Sequence, residues 1–509
     1  MRRSYAPHAL SLCVGFLSLS MEILWVRIFG FSQSGTPQAF AFVLTVYLLG
    51  IALGAQYGKS KCTSGKDLWR ISGIVLLVAG AYDLLSPWLF AMTVPDGTEA
   101  DGAILPSVAR AVCALLIFIS AALKAIVFPI AHHLGSDAAG DRVGRSISRV
   151  YAANIVGSTL GPLVTGFVLL DLMTTQHCFV LIGSLTLVAG TACMSKGWPR
   201  PAVACACMGI AAVAAALMIA PDYLIRKSSG NPAEPRYAVE SRQGVVTAYS
   251  HPVGGDEILG GNAYDGRTNL DPKVNSNGIN RLLILPALKR DPERVLMIGM
   301  SIGTWLKLVT AFPGVRHIDV VEINPGYVEA MNHYPPQASA LVDARVDLHI
   351  DDGRRWLRAH PQSTYDLIVI NATYYWRAYA ANLLSREFLR QLRLHMRPGA
   401  IVTYNATGSG DAFFTATTVF PHAYLYESFV YAADFDFRSR LAAPEAADAL
   451  RRLKMDGKPL FADDADAVIR KFLGIPFLTI DQIAGKYSRP LEILTDYNLI
   501  TEYKYAREI

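Results

Sequence analysis

"RVLMIGMSIGTWLKLVTAFPGVRHIDVVEINP", residues 294–325, is the stretch whose reading decides the fold. Four apolar residues, Val295 to Ile298, run into a turn bounded by Gly299 and Gly303, with Ser301 between them. A helix-forming segment follows, and a second apolar run ends in Glu322. Strand, glycine turn, helix and strand in this order form a nucleotide-binding βαβ unit. The turn lets backbone approach a ligand. A carboxylate ending the second strand is placed to accept both hydroxyls of a ribose. The turn is poorer in glycine than is usual for such sites, so the question is whether it still works.

Downstream the same alternation continues. Strands are expected near 294–298, 317–321, 345–350, 365–370 and 400–405, and helices near 303–311, 325–332, 353–359 and 385–396. That pattern specifies a mostly parallel sheet covered by helices, a Rossmann-like α/β domain with its ligand at the carboxyl ends of the strands. Asp352 and Gly353 follow the third strand, and Asp352 is placed to accept from an adenine amino group. Asn371 ends the fourth strand, where a reacting centre belongs, and Tyr374, Tyr375 and Trp376 follow it as walls for an acceptor. Upstream, a Pro-rich hinge at 231–237 leads into short alternating segments with Gly-Gly, Asp-Gly and Asn-Gly turn signals. A small β-rich subdomain is expected over about 237–280.

The first half differs in kind. The chain of 509 residues is 52% hydrophobic and 17% charged, and the apolar excess lies in residues 1–221. Seven runs are long enough to span a bilayer: 9–31, 36–58, 71–94, 104–131, 150–170, 176–194 and 202–220. The first has no small-residue cleavage site and reads as a retained helix. Gly50, Gly54 and Gly58, and again Gly157 and Gly161, form ridges for close helix packing. Basic residues fall in alternate loops: Arg2 and Arg3; Lys59, Lys61, Lys66 and Arg70; Arg142, Arg145 and Arg149; Lys196 and Arg200. An intervening loop is acidic, with Asp96, Glu99 and Asp101. The amino terminus is therefore expected in the cytoplasm, and seven crossings put the second half on the outer face of the membrane. Glu22, Asp83 and Lys124 lie within spans, as a polar pathway or as an interhelical ion pair. His132 and His133 end a span and read as interfacial.

Three domains follow: a transmembrane domain over 1–221, a hinge and β-rich subdomain over 222–290, and the Rossmann-like domain over 291–509. A net charge of +5 spread over short loops argues against nucleic acid as a partner. The seven cysteines (Cys13, Cys62, Cys113, Cys178, Cys193, Cys205 and Cys207) all lie in the apolar half without zinc spacing, and no metal constellation is expected. The expected partners are the lipid bilayer and a small-molecule or envelope-associated acceptor, with a homodimer as one assembly open to the chain.

The second half resembles the polyamine aminopropyltransferases, the spermidine synthase family, and in particular their membrane-fused bacterial relatives. The likeness is carried by "VLMIGMSIGTWLKL", "VVEINPGYVEA", "IDDGRRWL", "YDLIVIN", "NLLSREFLRQLRLHMRPGA" and "ILTDYNLITEYK", and in the first half by "SMEILWVRIFG", "YLLGIALGAQYG" and "VYAANIVGSTLG". It implies an S-adenosylmethionine-dependent transferase. The cofactor would be S-adenosylmethionine or its decarboxylated form, held by Glu322 through ribose and Asp352 through adenine. Where the family has an aspartate for the amino end of the cofactor, this chain has Ile302. Where the family has an acid to take a proton from the amine, it has Asn371, an amide that is not basic. A His-Glu pair of the polyamine pocket is replaced by Asn280 and Arg281.

The first expectation is therefore methyl transfer to a membrane or envelope acceptor, with Asn371 and Tyr374 facing the acceptor and Arg281 or Arg377 suiting an acidic one. Aminopropyl transfer to a polyamine is the second. A non-catalytic nucleoside sensor beside a transporter-like bundle is the third.

Overall fold

The computed structural model describes residues 5–63, 65–97, 107–137, 143–196, 199–371, 374–461 and 464–504, with backbone only at 137, 143–146 and 199–202. Arg2, Arg3, Glu99, Asp101 and Arg142 lie outside the described residues. The chain divides into two compact units. One is Met1–Glu234 with Glu240–Arg242, and the other is Pro235–Val239 with Gln243–Ile509.

The first unit is helical: α1 (Ala6–Ser32), α2 (Pro37–Cys62), α3 (Leu68–Thr93), α4 (Ser107–Asp137), α5 (Val143–Val164), α6 (Thr175–Ser195) and α7 (Pro199–Leu217). Among the described residues six helices are long and apolar enough to cross a membrane. α5 reaches that length by continuing through a π-helical turn, Thr165–Leu169, to Leu172. The expected seventh span differs. It is the 19-residue α7, of which Val203–Leu217 is the described apolar part.

Small residues place the helices. A Cβ on Gly50 would stand 2.6 Å from the Phe118 carbonyl oxygen, and one on Gly54 or Gly58 would run into the carbonyls of Ala122 and Ile126. α2 and α4 thus meet backbone to backbone, as Gly157 and Gly161 of α5 do with Leu12 and Phe16 of α1. Of the two readings of the intramembrane charges, Asp83 and Lys124 form an interhelical ion pair. Lys124 Nζ lies 2.7 Å from Asp83 Oδ2, both side chains are fully buried, and Ser120 Oγ donates to Asp83 Oδ1 at 2.8 Å. Glu22 is also buried. His132 packs its ring against Phe128 and Tyr151.

A four-stranded sheet follows the helices in the order β1-β2-β3-β4: β1 (Tyr237–Ser241), β2 (Gly244–Tyr249), β3 (Glu257–Gly260) and β4 (Ala263–Arg267). The larger sheet comprises β5 (Arg294–Ile298), β6 (His317–Glu322), β7 (Val346–Ile350), β8 (Tyr365–Ile370), β9 (Met396–Asn405), β10 (His422–Tyr426) and β11 (Phe429–Ala433). Its order is β10-β11-β9-β8-β5-β6-β7. β5 to β9 pair in parallel, while β10 and β11 add an antiparallel hairpin at one edge. The helices that concern the site are α8 (Thr304–Val309), α9 (Gly326–Met331), α10 (Gly353–Ala359) and α11 (Arg386–Leu394). β5 and β8 are largely buried on both faces, which is why each carries a continuous apolar run, Val295–Ile298 and Leu367–Ile370. Chain order reverses between β5 and β8, the switch point at which such sheets open a crevice.

Candidate functional site

The crevice is built from the carboxyl ends of β5, β6 and β8. After Ile298 the backbone turns through Gly299 (φ 84°), Ser301 (φ 51°) and Gly303 (φ 79°) into α8. Gly299 is required twice over. Its φ favours glycine, and a Cβ there would stand 2.5 Å from the Asn371 carbonyl oxygen. Asn371 N–H in turn donates to the Ile298 carbonyl at 2.9 Å, locking the ends of β5 and β8 together.

Glu322 ends β6 and is 3% exposed. One carboxylate oxygen accepts from Met300 N–H at 2.7 Å and Ser301 N–H at 3.3 Å, and the other from Asn324 N–H at 2.9 Å. Burial pushes this carboxyl up to about 7, against the pull of those N–H donors, and neighbouring Asp265 adds to the rise. Asp352 caps α10 by accepting from Arg355 N–H at 2.8 Å. Gly353 lets α10 close on β5, since a Cβ would stand 2.7 Å from Ile298 Cγ2.

These parts face a cavity of about 320 Å³. Gly299, Ser301, Glu322, Asp351, Asp352, Gly353, Asn371 and Arg377 line it, with Ile298, Val321, Ile323 and Leu383 as apolar wall. Gly303 is not among the lining residues; it serves the turn, where a side chain would strike Met331. A second cavity of about 260 Å³ is lined by Tyr264, Asp265, Asn277, Arg281, Trp305, Asn371, Tyr374, Asn405, Thr407, Ser428 and Phe429, among others. Asn371 and Asp265 line both.

The expected aromatic wall needs correcting. Tyr374 lines the second cavity, but Tyr375 and Trp376 are 5% and 6% exposed and belong to the hydrophobic cluster beneath it. Trp376 supports Tyr374 by stacking on it, ring centroids 5.3 Å apart and 15° from parallel. Ile302 is buried in the opposite cluster and lines neither cavity. Asn280 is also buried, bonded to Asn275 and to the Tyr426 hydroxyl. Of that pair only Arg281 reaches the second cavity.

Asp265 is the residue that sequence reasoning missed. "YDGR" carries an Asp-Gly turn signal, yet these residues lie within β4, where Gly266 (φ 137°) follows a register shift between β3 and β4. The Asp265 carboxylate accepts from the Tyr327 hydroxyl on α9, and its carbonyl accepts from Ser301 Oγ at 3.0 Å. Burial pushes its carboxyl up, opposed by the Tyr327 hydroxyl and by the Arg377 charge. Glu502 is a second omission: it accepts from Tyr379 and Ala381 N–H at 3.1 and 2.9 Å, fixing the loop beyond Asn371. His317, Asp319 and Asp347 come together on β6 and β7. Asp319 there also accepts from the Tyr365 hydroxyl at 2.8 Å and has Arg294 3.9 Å away, so the grouping is satisfied internally.

Residues 282–416 match the spermine/spermidine synthase domain. Polyamine aminopropyltransferase 2 of Streptomyces coelicolor is 26% identical over 395 residues, 73% of this chain and 68% of that protein. That match is longer than the second unit, so it extends into the helical one. Polyamine aminopropyltransferase of Halorhodospira halophila is 32% identical over 24% of this chain and 45% of its own length. Spermidine synthase 1 of Hyoscyamus niger is 33% identical over 23% and 37%. This chain thus spans less than half of the latter two. A crystal structure of spermidine synthase in complex with the transition-state analogue AdoDATO aligns at TM-score 0.39 and 17% identity, covering 47% of this chain and 88% of that one. Residues 282–416 are thus similar to a spermine/spermidine synthase domain, and they follow six long apolar helices among the described residues.

Proposed function

We propose that the second unit transfers an aminopropyl group from decarboxylated S-adenosylmethionine to a small amine. The relatives are named as aminopropyltransferases, and methyl transfer, the first expectation from the sequence, has no support among them. The observation that carries the reading is Glu322, a buried carboxylate ending β6 against the glycine turn, on one cavity with Asp352.

The residues fit the nucleoside. Glu322 offers acceptors for the ribose hydroxyls, Asp352 an acceptor for the adenine amino group, and Ile298, Val321 and Leu383 an apolar wall for the base. When bound, the cofactor supplies a sulfonium-activated alkyl carbon. The chain supplies position: the turn at 299–303 sets the nucleoside, and Asn371 faces both cavities. An amide at that point accepts a hydrogen bond through its carbonyl oxygen but takes up no proton, so Asn371 orients the amine.

The full chain, purified in detergent and given decarboxylated S-adenosylmethionine with an amine panel, is expected to release methylthioadenosine. Release of S-adenosylhomocysteine from S-adenosylmethionine instead would reinstate methyl transfer. A pH effect follows from Glu322. A carboxylate accepts from two hydroxyls better than a carboxyl does, so methylthioadenosine affinity is expected to rise several-fold from pH 6 to pH 8, across the value of about 7. Calorimetry at each pH checks this, and Glu322→Gln should flatten the profile.

The six long helices support a membrane location. Six crossings return the chain to its starting side, whereas a further crossing by Val203–Leu217 would place the second unit outside, as expected from the sequence. A reporter fused after residue 509 decides between them.

A further inference from the structure

The second cavity pairs one negative group with one positive group. Among the described residues lining it, Asp265 is the only carboxylate and Arg281 the only cation. The remaining polar wall is uncharged amide and hydroxyl. Arg281 is held in place: Nε donates to the Gly278 carbonyl at 2.9 Å, Nη2 to the Asn277 carbonyl at 3.1 Å and Nη1 to Ser428 Oγ at 2.7 Å. These bonds use three of its five N–H donors and leave two for a further acceptor. Its guanidinium lies 4.8 Å from the Phe429 ring centroid, so part of its surroundings is apolar. The nearest carboxylate, Glu427, is 3.9 Å away and 40% exposed, which makes it a weak counter-ion.

At the other pole Asp265 lines both cavities, as Asn371 does. An amine held there stands where the two cavities share their lining. A diamine would place its far ammonium in a chamber whose other charged group is a half-buried cation. The same chain with a carboxylate at its far end would meet that cation as a partner, in the geometry that guanidinium recognises best. We propose that the second cavity takes a small acceptor carrying both an amine and a carboxylate, its amine directed to Asp265 and Asn371 and its carboxylate to Arg281. This deepens the aminopropyl-transfer reading and rests on it.

The test is calorimetric and uses the full chain in detergent, saturated with methylthioadenosine. 4-Aminobutyrate and putrescine have the same four-carbon length and differ at one end. The expected result is at least tenfold tighter binding of 4-aminobutyrate. Arg281→Met should abolish or reverse that preference, and Arg281→Lys should keep part of it, while methylthioadenosine binding in both variants shows that the pocket has folded. Tighter binding of putrescine, binding of neither compound, or a preference untouched in Arg281→Met overturns the proposal and leaves the transferase reading standing. Failure of methylthioadenosine to bind the wild-type chain overturns the transferase reading itself.

Discussion

Replacing Glu322 by alanine is expected to weaken methylthioadenosine binding by about 100-fold or more. Two hydrogen bonds from ribose hydroxyls to a carboxylate contribute about 1.5–3 kcal/mol each, and every 1.4 kcal/mol is tenfold in affinity. The substitution also removes the acceptors of Met300, Ser301 and Asn324 N–H. Buried donors left without partners cost about 1–3 kcal/mol each, so the glycine turn itself should loosen. Glu322→Gln separates the two effects. It keeps a carbonyl oxygen for one set of N–H donors and turns an NH2 toward the other, so it should bind poorly yet retain more of the fold. Calorimetry reads the first effect and thermal denaturation the second. Near wild-type affinity in Glu322→Ala would mean that the ribose is held elsewhere.

The second large effect lies in the helical unit. Lys124→Met leaves Asp83 fully buried with Ser120 as its remaining hydrogen-bond donor. Breaking one side of a buried pair costs about 3–5 kcal/mol, because the stranded charge keeps its desolvation penalty. Thermal unfolding of the detergent-solubilised chain should therefore start at markedly lower temperature. The double variant Asp83→Leu with Lys124→Met removes both charges and should recover much of the loss. A single variant as stable as wild type would show that Asp83 is not stranded. That would revive the polar-pathway reading, in which water reaches these side chains.

Much of this architecture is legible in the sequence, for a physical reason. A strand buried on both faces is largely apolar, so β5 and β8 are centred on the runs Val295–Ile298 and Leu367–Ile370. Glu322, Asp352 and Asn371 follow from position, because strand ends in such a sheet share one crevice. Gly50, Gly54 and Gly58 are legible because helical spacing puts them on one face.

What is not legible depends on the third dimension. Tyr374, Tyr375 and Trp376 are chemically alike, and only the packing decides that the first faces a cavity while the other two fill the core. Asp265 sits in an Asp-Gly pair that signals a turn, but pairing with β3 holds it in a strand and α9 supplies its partner Tyr327. The β10–β11 hairpin contributes Ser428 and Phe429 to the second cavity from more than 140 residues beyond Arg281, a proximity with no local signal. The departures at Ile302 and Asn371 suggested a change of chemistry from the sequence. The carboxylate of Asp265, which lines both cavities, supports an amine site built from different residues.

The most direct test of the account is titration of the full chain with methylthioadenosine, in the presence and absence of decarboxylated S-adenosylmethionine. The account predicts one saturable site per chain, displaced by decarboxylated S-adenosylmethionine and lost in Glu322→Ala. No binding at millimolar methylthioadenosine, or binding indifferent to Glu322, would contradict it.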